Sequence, residues 1–382
     1  MGRFLCREWQ RIRDHQSAAW LLFGLPLIGT MLLLWIFSAR TPHDLPIAVV
    51  DLDNSALSRE VTRLLDAASS TRVAAFPDSV GAAQDLLLRG EVYAAMVLPH
   101  DLFKRMKRGD PVPIQVFVNQ QLMTAAGRIS VDVQSVLGEL SARYSLIQQA
   151  QMGGKVVSIL PVRAELHPLF NPGIDYGPFL ALLLISATLH VFIFISATQF
   201  IGTELLEKSV PAWLAAAQGG WFRALIRKFG LYTGWWMLFG GLLLFGTYRW
   251  LGMGMPEHLG VMLFGLLLLV LVYQGLALLL VMTTANYRVA VSLASLIASP
   301  AVAFCGVTFP LEALPLGPRI WGEMLPLTHF VHLQIEQTLG SIPEAASAQR
   351  LLTLALMTIF FWGIGLWRAR LVLQTPSYWG RE

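Results

Sequence analysis

GPFLALLLISATLHVFIFISATQFI, residues 177–201, runs 25 residues without a charge, bounded by Asp175 on one side and Glu204 on the other. A bilayer core about 30 Å thick needs about 20 apolar residues in helix, so this run reads as a membrane span. Five more runs share its character: residues 18–39, 229–248, 259–287, 289–311 and 351–367. The last is 17 residues long and is expected to extend outward past Arg350, whose stem can reach the interface. The sequence therefore predicts an α-helical membrane protein with six transmembrane helices. Composition agrees: the 382 residues are 55% hydrophobic and 14% charged, against about 25% charged in an ordinary soluble domain. That excludes a solution enzyme and a disordered chain alike.

Ahead of the first run, residues 1–17 carry Arg3, Arg7, Arg11 and Arg13. A cleavable signal sequence fits poorly, because its apolar stretch is roughly 7 to 15 residues long. This one has 22, with Phe37 in the slot that signal cleavage requires to be small. Residues 4–14 instead read as an amphipathic helix in the cytoplasmic interface, with Phe4, Leu5, Trp9 and Ile12 toward lipid. The short segments on the N-terminal side of the bilayer hold 12 Lys and Arg; those on the other side hold 3, namely Arg249, Arg319 and Arg350. Positive charge stays inside, so both termini are expected in the cytoplasm and the segment after the first span outside.

That segment, residues 40–175, has the size of a domain and is almost neutral, with 13 basic and 14 acidic residues. It alternates strand and helix signals. Strands are expected at 47–51, 72–76, 93–98 and 114–118. Helices are expected from a cap at Asn54 or Ser55 to about Ala68, then over 79–89, 101–108 and 122–151. The fold class is thus a six-helix membrane bundle with an extracytoplasmic α/β domain inserted between helices one and two, followed by residues 176–382 with transmembrane helices 2–6. Cys6 and Cys305 both lie outside the insert, so it has no disulfide framework.

Catalytic signals are sparse. Asp51 and Asp53 have a spacing that can ligate a metal, but no His, Cys or third carboxylate joins them, and helix capping is the better reading. Lys104, Arg105, Lys107 and Arg108 read as a solvated helix end, and His43, His100 and His167 are isolated. Lys155 follows Gly153 and Gly154, but Gln149 and Val156 break the phosphate-loop pattern, so the chain lacks a nucleotide site of that kind. His329 and His332 share a helix face with Glu336 nearby, a weak metal signal; a polar crevice is the better reading. No catalytic, cofactor or metal residue is assigned.

The polar residues at bilayer depth say more, since such groups face protein or water rather than lipid. In the second span Ser186 and His190 fall on one side, and Thr188, Ser196 and Gln199 roughly on the other. This pattern suits a helix between its own bundle and a pathway or dimer partner; hydrogen bonds to neighbouring backbone are the alternative. The inner connection 202–228 is the longest cytoplasmic one and reads as a docking surface.

The whole arrangement resembles the permeases of ATP-binding-cassette type-2 exporters, the drug and multidrug-type transmembrane subunits of bacteria. The likeness rests on the interfacial helix, the single span, and an external domain opening with Ile-Ala-Val-Val-Asp-Leu-Asp-Asn-Ser at 47–55. Five further spans follow. Its most specific part is Gly-Val-Thr-Phe-Pro-Leu-Glu-Ala-Leu-Pro at 306–315 with Leu-Pro-Leu-Thr-His-Phe at 325–330. There the family breaks its fifth span into short external helices, here 310–345 with Pro310, Glu312, Pro315, Pro326 and His329. Gly202, Thr203, Glu204, Leu205 and Leu206 resemble the family's coupling motif, although apolar Phe200 and Ile201 replace the charges that usually precede it.

The resemblance implies a transmembrane permease without its own ATPase site. It implies ATP and Mg bound by a separate ATPase subunit, a second permease copy or sister chain, and a place in the bacterial inner membrane beside lipid. An adaptor protein outside is a further possible partner; nucleic acid is not. Gly202, Thr203, Glu204, Glu207, Lys208 and Trp213 are then the candidate coupling residues. The apolar walls lean toward a hydrophobic or amphiphilic cargo. The competing reading is an envelope scaffold or membrane enzyme with its activity in the external domain.

Overall fold

The computed structural model describes residues 2–37, 43–108, 110, 112–119, 123–151, 176–218, 220–252, 255–256, 258–307, 309–338 and 344–381. Arg40, Lys155, His167 and Asp175, and positions 339–343 of the expected external helices, lie outside these residues. The chain divides into two compact units, Ala39–Tyr176 and the pair Met1–Ser38 with Gly177–Glu382.

The smaller unit is built on a four-stranded sheet in the order β2-β1-β3-β4. Its strands are β1 Leu45–Asp51, β2 Thr71–Ala75, β3 Ala94–Leu98 and β4 Gln115–Val118. Strands β2 and β3 run parallel to β1, and β4 runs antiparallel to β3. Successive side chains of a strand point to opposite faces, and both faces are covered. Ile47, Val49, Met96 and Leu98 pack with Leu57, Val61 and Leu65 of helix Ala56–Asp66 and with Ile129 and Val133 of helix Met123–Gln151. Ala48, Val50, Ala95 and Val97 pack on the other face with Ala83 of helix Val80–Leu88. This two-sided burial explains why the central strands are continuous apolar runs.

The cap of helix Ala56–Asp66 is Ser55, whose hydroxyl accepts from the Ser58 N–H in a reciprocal capping box. Asn54 instead takes the left-handed turn, with φ 49°. Asp51 holds that turn: its Oδ1 accepts from the N–H of Asp53 (3.0 Å) and Asn54 (2.9 Å), and its Oδ2 from Ser58 Oγ (2.7 Å). Asp53 Oδ2 accepts from the Phe103 N–H, 3.1 Å away, at the start of helix Leu102–Arg108. Both aspartates are thus caps. At the sheet edge, Asp66 Oδ1 accepts from the Val73 N–H of β2 at 2.9 Å.

Among the described residues of the larger unit, six helices are long and apolar enough to cross a membrane: Gln16–Ile36, Leu180–Leu206, Trp221–Trp250, Leu259–Thr284, Tyr287–Phe304 and Ser347–Val372, here spans 1 to 6. Spans 2 and 4 are the central ones and mostly buried. Phe194 and Tyr273 meet between them, and Phe200 of span 2 stacks on Tyr232 of span 3. Span 6 lies along span 4, where the Trp362 indole N–H donates to Leu271 O at 2.8 Å. Only a glycine at 275 leaves room for that indole.

The span ends differ from those expected. Span 2 continues through Glu204 and span 3 starts at Trp221, so most of 202–228 is helix rather than connection. Charge marked the ends in the sequence, but these charges are paired, and helix continues through them. Span 4 stops at Thr284, where Ala285 turns left-handed (φ 47°) and the Asn286 side chain caps span 5. Span 5 ends at Phe304 rather than 311 and is interrupted at Pro300, a break the sequence reading did not anticipate. Pro310, Pro315 and Pro326 each open a short element: Leu311–Ala313, helix Leu316–Met324 and helix Pro326–Thr338.

Replacing Asp51 by Ala removes three hydrogen bonds from the turn that starts helix Ala56–Asp66, a loss of about 2 kcal/mol. Hydrogen exchange of the full chain is expected to show that helix opening roughly thirtyfold more often, with spans 2 and 4 unchanged.

Candidate coupling site

The N-terminal helix Gly2–Asp14 is not laid with all its apolar residues in lipid, as its pattern suggested. Leu5 and Trp9 are exposed, but Phe4 is fully buried with Ile201, Leu205 and Trp213, and Ile12 packs against the bundle core. With Phe4 inward, the same side of the helix carries Arg7, Glu8 and Arg11 into the bundle.

They meet Glu204 there. This carboxylate, with no solvent exposure, takes both arms of the Arg7 guanidinium at 2.8 and 2.7 Å, Arg11 Nη1 at 3.2 Å and Lys228 Nζ at 2.6 Å. It also accepts from the Ser209 hydroxyl. Lys228, from the first turns of span 3, is 2% exposed and reaches Glu8 Oε2 at 3.2 Å. Glu8 in turn accepts from Tyr232 at 3.2 Å. The Lys228 ammonium sits 5.0 Å from the Trp213 ring centre, a cation–π contact that uses a tryptophan with no exposure. Arg11 extends the cluster to Thr203 Oγ1 (3.1 Å), Ser209 Oγ (2.8 Å) and Glu207 (2.9 Å).

Three cations, Arg7, Arg11 and Lys228, face three carboxylates, Glu8, Glu204 and Glu207. Ions taken out of water cost several kcal/mol each unless paired with good geometry, and the bidentate Arg7–Glu204 fork meets that condition. Burial works against the charge on Arg7, and its bonds to Glu204 and Glu8 overcome this, raising its pKa above the ordinary value.

The remaining coupling candidates divide into inner and outer ones. Gly202 gives way to the Tyr287 ring of span 5, where a side chain would collide. Thr203 donates to Gln199 O at 2.8 Å. Glu207 and Lys208 are exposed, Lys208 in a left-handed turn (φ 56°), and Trp213 lies inside the short helix Val210–Ala216. The C-terminal segment closes the cluster from another side, its Gly380 N–H donating to Leu205 O at 2.8 Å. Exposed Glu207, Lys208, Pro211, Ala212 and Ala215 are thereby mounted on an ion-paired base.

The span 2 candidates all find partners within the chain. Ser186 donates to Gln334 Oε1 at 2.7 Å; the Gln334 amide donates to Tyr248 OH at 3.3 Å, and Tyr248 OH lies 2.9 Å from Thr338 Oγ1. His190 Nε2 is 3.3 Å from Ala298 O, Ser196 accepts from the Trp236 indole at 3.2 Å, and Gln199 Nε2 donates to Ser17 Oγ at 2.8 Å. Thr188 bonds to Leu184 O in its own helix. The polarity on both sides of span 2 therefore meets spans 1, 3 and 5 and helix Pro326–Thr338.

Pro310, Glu312 and Pro315 are exposed beside the short turn Leu311–Ala313, and Pro326 is buried. His329 and His332 diverge: one ring nitrogen contacts Glu323 O at 2.8 Å, the other Cys305 O at 3.0 Å, while Glu336 pairs with Arg350. Among the described residues, no group of three His, Cys, Asp or Glu converges as a metal site.

A family profile described as ABC-2 family transporter protein matches residues 17–367. The chain belongs to this family. It is therefore a multi-pass membrane permease, the transmembrane component of an ABC exporter, and it works with a separate ABC ATPase subunit. Comparison with curated proteins and with solved structures found no match. The residues of the permease that the sequence reading missed are Arg7, Glu8, Arg11, Ser209 and Tyr232. Their only sequence signal is the Arg7–Arg11 spacing, which places both guanidiniums on one helix face with Phe4.

Neutralising Glu204 leaves Arg7 and Lys228 without their shared partner. Glu204→Gln is expected to cost about 3 to 5 kcal/mol, whereas partly exposed Glu207→Gln costs about 1 or less; thermal unfolding of the purified permease compares the two.

Proposed function

We propose that this permease is the membrane half of a bacterial inner-membrane exporter that moves a hydrophobic or amphiphilic substrate outward, using ATP hydrolysed with Mg by its partner subunit. The count of positive charge in the short connections supports cytoplasmic termini and an extracytoplasmic sheet-bearing unit. Two permease chains, identical or sister, would work with two ATPase subunits, and a soluble adaptor outside is compatible with that arrangement. The apolar span walls favour a greasy cargo over an ion.

The observation that carries the mechanism is the ion cluster around Glu204. It fastens the helix before span 1 to the ends of spans 2 and 3. An ATPase pressing on Glu207, Lys208 and the exposed face of helix Val210–Ala216 would push on a braced unit rather than on a loose loop. The push then reaches span 5 through Tyr287 against Gly202 and helix Pro326–Thr338 through Ser186 and Gln334. In this reading Glu204 and Trp213 transmit force, and the exposed residues receive it.

With permease and ATPase reconstituted together in vesicles, Glu207→Lys is expected to lower substrate-stimulated ATP hydrolysis and transport at least tenfold, with thermal unfolding of the variant measured beside it to separate coupling from the loss of the Arg11 ion pair. Unchanged stimulation and transport in Glu207→Lys and in Glu204→Ala would contradict the assignment.

A further inference from the structure

The N-terminal helix and span 1 meet at a bend. His15 is extended (φ −104°, ψ 93°) between helix Gly2–Asp14 and helix Gln16–Ala19, and a π-helical turn follows at Trp20–Gly24. Such turns widen a helix and often accompany functional sites. Residues on both sides of the bend line one groove of about 600 Å³, among them Trp9, Arg13, Gln16, Trp20, Phe23 and Gly24. Gly24 has no room for a side chain because the Trp20 indole lies across it, so the ring is seated on bare backbone as one wall of the groove.

The charges on the two sides of the N-terminal helix have different fates. Arg7, Glu8 and Arg11 are bonded inward. Arg13, two residues on and therefore about 200° around from Arg11, is exposed and makes no ion pair among the described residues. Trp9 and Trp20 are 64% and 52% exposed beside it. A cation flanked by exposed indoles, continuous with the apolar surface of a membrane span, matches the headgroup level of a bilayer.

We infer that this groove is a binding site for one anionic phospholipid, its phosphate on Arg13, its polar linkage beside Gln16 and the indoles, and its first methylenes along Trp20 and Phe23. The groove carries no carboxylate. A second copy seated groove to groove by two-fold symmetry would bring Arg13 toward Arg13 with no carboxylate among the lining residues between them, which disfavours a protomer contact. A net negative lipid supplies that charge, whereas a zwitterionic one cancels much of it with its own ammonium. The inference requires only that span 1 stands in a bilayer, and it is independent of cargo and coupling.

Native mass spectrometry of the permease in non-ionic detergent, titrated with phosphatidylglycerol or phosphatidylethanolamine, tests it. The wild type is expected to hold one phosphatidylglycerol about fivefold more tightly than phosphatidylethanolamine, the effect of one basic residue near an anionic headgroup. Arg13→Gln should abolish the preference and Arg13→Lys keep part of it. Arg223→Gln, at another exposed basic position, should keep all of it. Gly24→Leu, which displaces the Trp20 ring but no charge, should weaken binding of both lipids. An undiminished preference in Arg13→Gln, equal binding of the two lipids by the wild type, or efficient crosslinking between copies through Gln16→Cys would overturn the inference.

Discussion

Glu204 is a carboxylate with no water around it, held by Arg7, Arg11 and Lys228. A charge in that position is stable only while its partners stay in place, because removing any of them leaves an ion in a medium that cannot solvate it. The partners come from the N-terminal helix and from span 3, so the condition for keeping Glu204 charged is also the condition for keeping three chain segments in register. Apolar packing around Phe4 and Trp213 cannot do this alone, since one greasy contact slides against another at little cost. Directional bonds fix the register, and the apolar residues exclude the water that would weaken them.

The same division recurs higher in the bundle. Spans 2 and 4 meet through aromatic and aliphatic side chains, while single hydrogen bonds mark defined positions along them: Ser186 to Gln334, Trp236 to Ser196, and Trp362 to Leu271. Buried polar groups in a membrane bundle are worth little individually, but each accepts only one alignment of its helix. Sparse polar pins in an apolar matrix thus hold each helix to one alignment with its neighbours.

The sequence revealed these features unevenly, for physical reasons. Six spans were legible because lipid tolerates few charges, so long uncharged runs stand out. Their ends were not, because the charges at Glu204 and Lys228 bound the uncharged runs without ending the helices, each being neutralised by a residue about 200 positions away or on the next helix. Pairing at such separation leaves no local trace. In the smaller unit the strand and helix order followed from turn chemistry, and Asp51 and Asp53 were recognisable as caps. The partner of Asp53, the Phe103 N–H, was not recognisable, since it lies on another helix. The face of the N-terminal helix was half legible: its amphipathicity is plain, but Phe4 and Trp9 are both large and apolar, and only packing sends one inward and the other out.

Among the described residues, strand β2 has β1 on one side and no strand on the other, the arrangement that offers backbone donors and acceptors to a further extended chain. The Asp66 carboxylate already occupies one of them, the amide of Val73. A carboxylate so placed also repels the carbonyl oxygens that an incoming chain would bring. On the β2 side one acid thus blocks the amide at which a further strand would begin to pair.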